Sequence, residues 1–586
     1  MDDPGSLSSA PPRAPLGARD VGLIAAGTAV VCAYLFVWAI GSGPNLGDEA
    51  HHWRRATVYF ETLFTEGRAV CDPAYPPQGQ SAIRYFDSAG WHLVLATLWK
   101  TFGRPSFAVA QAYHLGYFFA LMIFMYLAGR QLYGHIGGLW AWALALTMPL
   151  NLLLGSAFYM EVPVAAMIAA AIYFIASRRP VLLGVALAGM FYLKLASASV
   201  LAPPLVLAAF LGLGDTWRRR LGGTALALGV AAACFLPDML WRWEHFGRLL
   251  MYSEPIEQFQ VNLMAALPPT KKSAIPMYLF DPVMLVQTFG VPGLLALVAA
   301  LAWSVWALPA SCVRVVRHAR QSGMRSTLGR VADLVPADVR VAALPLIFYT
   351  AAFAALMRVA YDARYFHPAT VFAFLLAGGM LARARLFSRP GRLQWPARAL
   401  GGVLLAAMVA QTVSVPPYTR QLRILPIPVV AGFAWIKANT APHARIMYPE
   451  VNLTATTGRP IMWAAIYPRF LLTKPEEDQG CILYYMRVDY IAIHPSRFID
   501  KAEPDNEPRG YPVPWVRSLR ERPYLTQVYP AAPCRAEEGG EFVIYRVERD
   551  KIPPAWLNNP LFVNNLPGDA APPPALRSGN PKETTP

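Results

Sequence analysis

Acidic and imidazole side chains occur together in the stretch Gly47-Asp48-Glu49-Ala50-His51-His52. This stretch begins shortly after the first long apolar run, Val21 to Ile40, which is long enough to span a membrane. Charged groups beside hydrocarbon are costly, so an Asp-Glu pair at this depth indicates a functional site. A simpler alternative is that these residues cap an amphipathic helix that lies on the bilayer surface.

The spacing within this stretch favours acid–base chemistry at Asp48. If the segment is helical, three- and four-residue spacing puts four side chains on one face: Asp48, His52, Arg55 and Tyr59. Glu49 then points away from that face. A carboxylate held beside a histidine and an arginine could act as a general base for an acceptor hydroxyl. Asp48 and the two histidines do not form a recognisable zinc ligand set, so no metal site is predicted.

Three further polar residues interrupt apolar sequence. Glu161 follows Ala157-Phe158-Tyr159-Met160, Lys194 lies within LAGMFYLKLASASVLAPP, and Arg364 lies within Tyr361-Asp362-Ala363-Arg364-Tyr365. Each of them alone is typical of an interfacial anchor or a helix-end charge. Placed on the same side of a membrane as Asp48, they combine acidic groups with separated cations. That combination suits a reaction that releases a phosphate while a hydroxyl is deprotonated.

The composition indicates a polytopic membrane protein. Of the 586 residues, 55% are hydrophobic and 15% are charged, which is apolar-rich and charge-poor for a globular protein. The net charge of +16 is distributed beside the apolar runs, where it reports orientation rather than nucleic-acid binding. No phosphate-binding loop, dinucleotide glycine motif or nucleophile elbow occurs, so nothing supports a nucleotide-driven or serine-hydrolase mechanism.

The apolar runs predict about eleven transmembrane helices. The first is Val21 to Ile40, and the others are placed near 106–128, 136–153, 160–177, 180–196, 198–213, 221–240, 283–309, 341–358, 366–384 and 397–415. A semi-apolar helix near 89–102 is too short to span and is expected to lie in the interface or re-enter.

The basic residues predict the orientation of these helices. Arginines cluster at every second helix end, where the positive-inside rule makes the side cytoplasmic: Arg130, Arg178-Arg179, Arg218-Arg219-Arg220, Arg314 to Arg330 and Arg383 to Arg398. The first loop, the Asn151–Glu161 turn, the 241–282 loop, the Tyr361–Tyr365 turn and the chain after residue 416 then lie outside. The candidate site residues all fall on this outer side.

The predicted domain organisation has four parts. Residues 1–20 form a disordered cytoplasmic tail, 21–415 the transmembrane module with a first outer loop at 42–105, and 569–586 a second disordered tail. Residues 416–568 are expected to form a small extracytoplasmic α/β domain. Its predicted elements are a short helix at 432–440 and extended segments at Ala444–Tyr448, Val488–His494 and Glu541–Val547.

Two features of the C-terminal region depend on the compartment. Cys481 and Cys534 could form a disulfide if this region faces an oxidising compartment, or could remain free thiols. Asn452-Leu453-Thr454 would be a glycosylation sequon in an endoplasmic reticulum protein, although such a triplet also occurs by chance.

The sequence resembles the GT-C superfamily of integral-membrane glycosyltransferases. The similar features are a first outer loop with Asp-Glu, a second acidic residue in YMEVP, a lysine at a helix turn in FYLKLAS, and RYFHPA at the start of a late helix. The segments WIKANTAPHARI and TGRPIMW resemble the start of the small extracytoplasmic domain in bacterial members. Those members include the protein O-mannosyltransferase-like and lipid A aminoarabinose transferase-like families.

A narrower resemblance concerns DEAHHWRRATVYF, which is similar to the first-loop Asp-Glu-x-x-His pattern of the dolichyl-phosphate-glucose glucosyltransferases. This chain has Tyr85-Phe86-Asp87-Ser88-Ala89-Gly90 where those enzymes continue with Thr-Pro-Pro-Gly. The departure leaves both the sugar and the acceptor unassigned.

The superfamily resemblance implies inverting transfer of a sugar from a polyprenyl-phosphate donor to a lipid, glycan or protein acceptor at the outer face. Asp48 would be the catalytic base, and Glu49 or Glu161 would support it or orient the acceptor. Lys194 and Arg364 would contact the donor phosphate, and His52, Arg55 and Tyr365 are further substrate-binding candidates. No cofactor, metal or nucleic acid is implied. The expected location is the cell inner membrane, with the C-terminal domain in the periplasm.

Two other classes of function remain open from the residues alone. A transporter or flippase of a lipid-linked saccharide would explain the spans and the charges, but the sequence contains no inverted repeat and no paired broken helices. A non-catalytic membrane scaffold could use the C-terminal domain to bind partners. The transporter class gives no role to the charged first loop or to the C-terminal domain.

Overall fold

The computed structural model describes most of the chain. The described residues are 18–45, 48–62, 90–246, 282–324, 326–327, 330, 334–356, 363–384, 394–448, 452–459, 461–463, 475–485, 487–494, 498–499, 511–531 and 541–558. Within helices, the side chains of Asp48, His51 and Tyr365 are also left out. Residues 1–17, the predicted 569–586 tail, most of the 241–282 loop, Cys534 and the Pro-rich part of the first loop therefore lie outside the description. The last three residues of the predicted 1–20 tail belong instead to the first helix, which begins at Ala18.

The first part of the described chain is helical. Its helices are α1 (Ala18–Ala39), α2 (Asp48–Thr62), α3 (Gly90–Thr101), α4 (Phe107–Thr147), α5 (Pro149–Ser156), α6 (Glu161–Ala176), α7 (Pro180–Leu193), α8 (Leu195–Gly212), α9 (Trp217–Phe246), α10 (Pro282–Ser322), α11 (Leu344–Leu356), α12 (His367–Ala384) and α13 (Gln394–Arg423). A π-helical turn at Val339–Ala343 precedes α11, and a 3₁₀ turn at Ala363–Phe366 precedes α12.

Four of the described helices are long and apolar enough to span a membrane. They are Ala18–Ala39, Phe107–Thr147, Trp217–Leu240 and Leu285–Ser322. A fifth candidate is the pair α5 and α6, which is bent by 118° at the break between them. Three shorter apolar helices accompany these. The protein is thus a helical membrane protein, and the count of eleven spans stays a prediction.

Two predicted boundaries are wrong, whereas the separation of the predicted spans 106–128 and 136–153 is confirmed. They correspond to the two arms of α4, which is broken at one non-helical residue, Gly134 (φ 81°, ψ −178°). Glycine is the residue that adopts this positive φ without a steric penalty. A Cβ atom on Gly138 would lie 2.7 Å from the Tyr126 carbonyl oxygen, so the two arms pack against each other. The predicted turn Asn151–Glu161 is largely the short helix α5. The last predicted span, 397–415, continues to Arg423.

Helices α4 and α12 approach each other closely through glycines. A Cβ atom placed on Gly378 would lie 2.7 Å from the Gly137 carbonyl oxygen and 2.9 Å from the Ala141 nitrogen. Both neighbours are backbone atoms, which cannot move without displacing a helix. Small residues of this kind let membrane helices pack closely, because dispersion contacts drive their association.

Gly378→Ala is therefore expected to lower the free energy of unfolding by about 1–3 kcal/mol, the usual result of overpacking. Thermal unfolding of the detergent-solubilised protein measures this. Gly402→Ala in α13 is the matched control, since its added Cβ meets nothing within 4 Å. The control should leave stability unchanged or slightly higher, because alanine favours helix over glycine. Equal stability of the two variants would contradict the packing.

The C-terminal part is a mixed α/β structure. Its helices are α14 (Ile427–Asn439), α15 (Asn452–Thr457), α16 (Glu476–Tyr485) and α17 (Val513–Ser518). Its strands are β1 (Ile446–Tyr448), β2 (Ile461–Trp463), β3 (Tyr490–Ile493), β4 (Phe498–Ile499), β5 (Tyr511–Pro512), β6 (Leu525–Tyr529) and β7 (Val543–Val547). Strands β1, β3 and β7 lie within the three predicted extended segments.

Five strands form one sheet in the order β2-β1-β3-β7-β6. Strand β1 pairs in parallel with β2 and β3, while β7 pairs antiparallel with β3 and β6. Apolar side chains pack on both faces of this sheet, one set around Ile491 and Tyr545 and the other around Phe433 and Ile544. The sheet therefore has its own core, apart from that of the membrane helices. Its periplasmic location stays a prediction.

The predicted sequon asparagine and the Cys481 thiol are both buried in the C-terminal part. Asn452 is 1% exposed at the start of α15, so the sequon asparagine is not accessible as a glycan acceptor. Cys481 is a free cysteine whose thiol donates to the Trp556 carbonyl oxygen over 2.8 Å. Burial raises the pKa of this thiol to about 12, so it stays protonated and unreactive at neutral pH. Cys481 therefore pairs with no described cysteine, and Cys534 lies outside the description.

Candidate active site

Helix α2 carries the first predicted site residues. The segment is helical from Asp48 to Thr62, which is the condition under which its polar residues share one face. It packs against α3 on one side and against α15 of the C-terminal part on another. His52, Arg55 and Tyr59 are buried, as expected for a face directed inward. Helix α3 contributes a buried face of its own, which includes Trp91 and His92.

Glu49 also lies in the interior. It is 0% exposed, although helical spacing turns it away from the His52 face, because the start of α2 is covered on more than one side. Both carboxylate oxygens are bound by Arg423, with Nε donating to Oε2 over 3.0 Å and Nη2 donating to Oε1 over 2.7 Å. The backbone N–H of Phe158 donates to Oε1 over 3.4 Å. Arg423 is itself 1% exposed and also donates to the Ser156 carbonyl oxygen.

A second buried ion pair joins Glu161 and Lys194. The Lys194 Nζ lies 2.7 Å from Glu161 Oε1, and the side chains are 15% and 4% exposed respectively. Glu161 is the first residue of α6, where the helix dipole favours a negative charge. Lys194 lies at the non-helical junction between α7 and α8, with φ −155° and ψ 96°. At this junction the side chain is directed inward, toward Glu161.

Arg364 brings a further positive charge to the same place. Its guanidinium lies over the Tyr159 ring, 5.1 Å from the ring centroid, and acts electrostatically on the Glu161 carboxylate. The structure thus groups Glu161, Lys194 and Arg364, which are far apart in sequence. Tyr365 lies beside Arg364 in the 3₁₀ turn, with its side chain outside the description.

The break between α5 and α6 connects the two ion pairs. Phe158 contacts Glu49, Tyr159 contacts Arg364, and Glu161 contacts Lys194, all within four consecutive residues. The 118° bend brings Phe158 to the start of α2, where Glu49 lies. Asp48 precedes Glu49 directly, so its backbone lies near this bend. The bend thereby links the Glu49–Arg423 pair next to Asp48 with the Glu161–Lys194 pair three residues further along the chain.

Four buried histidines form further hydrogen bonds between helices. His52 Nδ1 and His92 Nε2 form a hydrogen bond of 3.0 Å that joins α2 to α3. His114 Nε2 bonds to the Leu154 carbonyl oxygen over 2.8 Å, and His367 Nε2 bonds to Asn151 Oδ1. The Nδ1 atoms of His114 and His367 are buried and have no hydrogen-bond partner among the described residues. Such sites are suited to internal water.

Several of these residues are not among those that the sequence predicts for the site. His114, Asn151 and His367 are single polar residues in apolar runs, a signal that marks functional positions in membrane helices. Arg423 has a clearer signal. With Arg420 it places positive charge on the predicted outer side, against the arginine distribution of the other loops. A cation that departs from the positive-inside pattern often has a specific partner.

The described residues include no group of three or more His, Cys, Asp or Glu side chains that could hold a metal ion. The acidic residues of the site are instead bound by arginine and lysine. The arrangement can therefore provide carboxylates and fixed positive charges within one water-poor region, where electrostatic interactions are strong.

Solved structures share this architecture. The archaeal oligosaccharyltransferase AglB from Archaeoglobus fulgidus, in complex with an inhibitory peptide and a dolichol-phosphate, aligns with a TM-score of 0.53 over 80% of this chain and 69% of its own, at 11% identity. ArnT from Cupriavidus metallidurans in the apo state aligns with a TM-score of 0.51 over 91% of this chain and 99% of its own, at 14% identity. The fold is that of the GT-C glycosyltransferases.

The GT-C resemblance of the sequence is thereby confirmed at the level of the fold. The ArnT alignment covers almost the whole of both chains, including the C-terminal part. No protein-family model and no curated protein sequence matches the chain. At these identities the similarity establishes the fold alone.

Proposed function

We propose that the protein is an integral-membrane glycosyltransferase that moves a sugar from a polyprenyl-phosphate-linked donor to an acceptor hydroxyl. The observation that carries this proposal is the meeting of two buried acid–cation pairs at the α5–α6 bend, beside Asp48, on a GT-C fold. Buried charges in membrane helices are costly and mark functional sites. That an AglB structure holds a dolichol-phosphate supports a lipid-linked donor.

In the proposed reaction Asp48 acts as general base. It takes the proton of the acceptor hydroxyl, whose oxygen attacks the anomeric carbon of the donor sugar. A bond from that carbon to the acceptor oxygen forms as the bond to the phosphate oxygen breaks, with inversion of configuration. The polyprenyl phosphate leaves with the electron pair of the broken bond. The proton remains on Asp48 until it is released.

Lys194 and Arg364 stabilise the departing phosphate in this proposal. Their positive charges lie near one buried carboxylate, Glu161, which holds them in place without neutralising both. Fixed charges aimed at the developing negative charge are usually the largest single contribution to catalysis. His52, Arg55 and Tyr365 are proposed to bind the acceptor or the sugar. The site is proposed to face the outer side of the cell inner membrane, with the C-terminal part periplasmic.

Mass spectrometry of cell-envelope glycans and glycolipids tests this function. Deleting the gene in its host should remove one sugar from an envelope molecule and cause a polyprenyl-phosphate-linked sugar to accumulate. The wild-type gene should restore both. An unchanged set of glycans and lipid-linked sugars in the deletion strain would contradict the proposal, as would loss of a lipid-linked saccharide from one leaflet without any change in transfer products.

A further inference from the structure

Arg423 contacts the start of α2 and the end of α5, two of the segments that meet at the proposed site. We propose that it is a positioning residue, whose buried ion pair with Glu49 sets the place of Asp48 relative to Glu161 and Lys194. This inference rests on the proposed function. It gives Glu49 a positioning role as well, since both of its oxygens are bound by protein groups.

The first contact fixes the start of α2. The Arg423 guanidinium donates to both carboxylate oxygens of Glu49, and this bidentate geometry makes the ion pair directional. Asp48 and Glu49 are consecutive, so their Cα atoms are about 3.8 Å apart. Holding the Glu49 side chain from one side therefore limits where the Asp48 backbone can lie. Asn45, just before α2, donates through Nδ2 to the Arg423 carbonyl oxygen over 3.3 Å.

The second contact fixes the bend that leads to Glu161. Arg423 donates to the Ser156 carbonyl oxygen, and the Phe158 N–H donates to Glu49. These two bonds and the ion pair close a ring that joins the end of α5, the start of α2 and the end of α13. Glu161 follows Phe158 by three residues. One guanidinium thus sets the separation of the two acidic segments that the proposed mechanism uses.

The third connection reaches the C-terminal part. Arg423 is the last residue of α13, and α14 begins at Ile427. Helix α15 of the same part packs on α2. Displacement of the C-terminal part is therefore transmitted to Asp48 along two routes, one through Arg423 and one through α15. The pair couples the two parts of the protein at the proposed base.

A pair of variants separates positioning from stability. Arg423→Met leaves a buried, uncompensated carboxylate and should lower the melting temperature strongly. Glu49→Leu/Arg423→Met removes both charges and should recover most of that loss, because apolar replacement of a buried ion pair is often neutral. If the pair positions Asp48, kcat of the stable double variant stays about 100-fold low, as expected for a displacement of about 1 Å. Its KM for a polyprenyl-phosphate sugar changes little, since Lys194 and Arg364 are intact.

Recovery of kcat together with the melting temperature would overturn the inference. Arg220→Met is the matched control, because Arg220 is also 1% exposed and binds the Gly214 and Asp215 carbonyl oxygens in another part of the fold. It should lower the melting temperature while leaving kcat per folded molecule unchanged. A matching fall in its kcat would show that loss of stability alone explains the effect, and would also overturn the inference.

Hydrogen exchange tests the positioning role of Arg423 independently of the proposed function. In Glu49→Leu/Arg423→Met, backbone amides of residues 48–62 should exchange about tenfold faster than in the wild type, since their opening costs less free energy. Amides of α4 should be unaffected. Unchanged exchange over residues 48–62 would overturn the positioning role. If the wild type transfers no sugar, the proposed function fails, and this measurement still decides whether Arg423 holds α2.

Discussion

Asp48→Asn is expected to abolish sugar transfer while expression and folding stay intact. Asparagine keeps the size of the side chain but cannot accept the hydroxyl proton, and loss of a general base lowers a rate by about 10²–10⁴-fold. The measurement is transfer from a polyprenyl-phosphate sugar by the purified variant, alongside its thermal unfolding. The unfolding curve should match that of the wild type.

A control for this variant lies on the same helix. Glu61 is at the other end of α2, where its side chain is half exposed and lies 3.9 Å from Arg54. Glu61→Gln removes a negative charge from α2 without touching the bend, and transfer should be unchanged. Full transfer by Asp48→Asn would show that another residue is the base.

Lys194→Met is expected to damage both stability and transfer. It removes the cation that is hydrogen-bonded to Glu161, a carboxylate that is 4% exposed, and leaves that charge buried with only Arg364 nearby. Breaking a buried ion pair on one side lowers the free energy of unfolding by about 3–5 kcal/mol. Transfer should fall as well, because the proposed leaving phosphate loses a stabilising charge. Thermal unfolding and the transfer assay measure the two effects separately.

Two further variants test whether burial of the Glu161–Lys194 ion pair explains the expected loss of stability. Arg178 and Asp215 form an ion pair of similar length, 2.6 Å, but their side chains are 55% and 59% exposed. Arg178→Met should change neither stability nor transfer measurably, because exposed pairs contribute little. Glu161→Gln/Lys194→Met should recover stability without recovering transfer. If Lys194→Met were as stable as the wild type, Glu161 would not be a buried, charged partner.

Local patterns are what the sequence predicts well. The predicted extended segments contain β1, β3 and β7. Given a helix at α2, three- and four-residue spacing correctly puts His52, Arg55 and Tyr59 on a buried face. Interrupted apolar runs mark Glu161, Lys194 and Arg364, and the structure brings these three together. All of these signals are contained within a few residues of chain.

The sequence does not predict which distant segments of the chain contact each other. Glu49 and Arg423 are 374 positions apart, and no local pattern relates them. The last long helix was also expected to end at residue 415, which places Arg423 in a loop rather than at a helix end. The unusual outer arginines Arg420 and Arg423 are a signal that a partner exists, but only the fold shows that the partner is Glu49.

Helix breaks are a second limit. Gly134 interrupts α4 with a single residue, and the α5–α6 bend occurs between two apolar helices. Arg130, Gln131 and His135 surround the first break, which the sequence predicts, but residues 149–160 are mostly apolar and hydropathy does not show the second break. The bend matters most for function, since it carries the contacts of Glu49, Arg364 and Lys194 within four residues.

Release of polyprenyl phosphate by the purified protein tests the central claim most directly. The protein would be reconstituted into liposomes with a lipid extract from the deletion strain, together with its envelope glycans, and the products analysed by mass spectrometry. We predict that the wild type produces free polyprenyl phosphate and an equal amount of glycosylated acceptor, and that Asp48→Asn produces neither. Movement of the lipid-linked sugar across the bilayer with no polyprenyl phosphate released would contradict a glycosyltransferase and indicate a transporter.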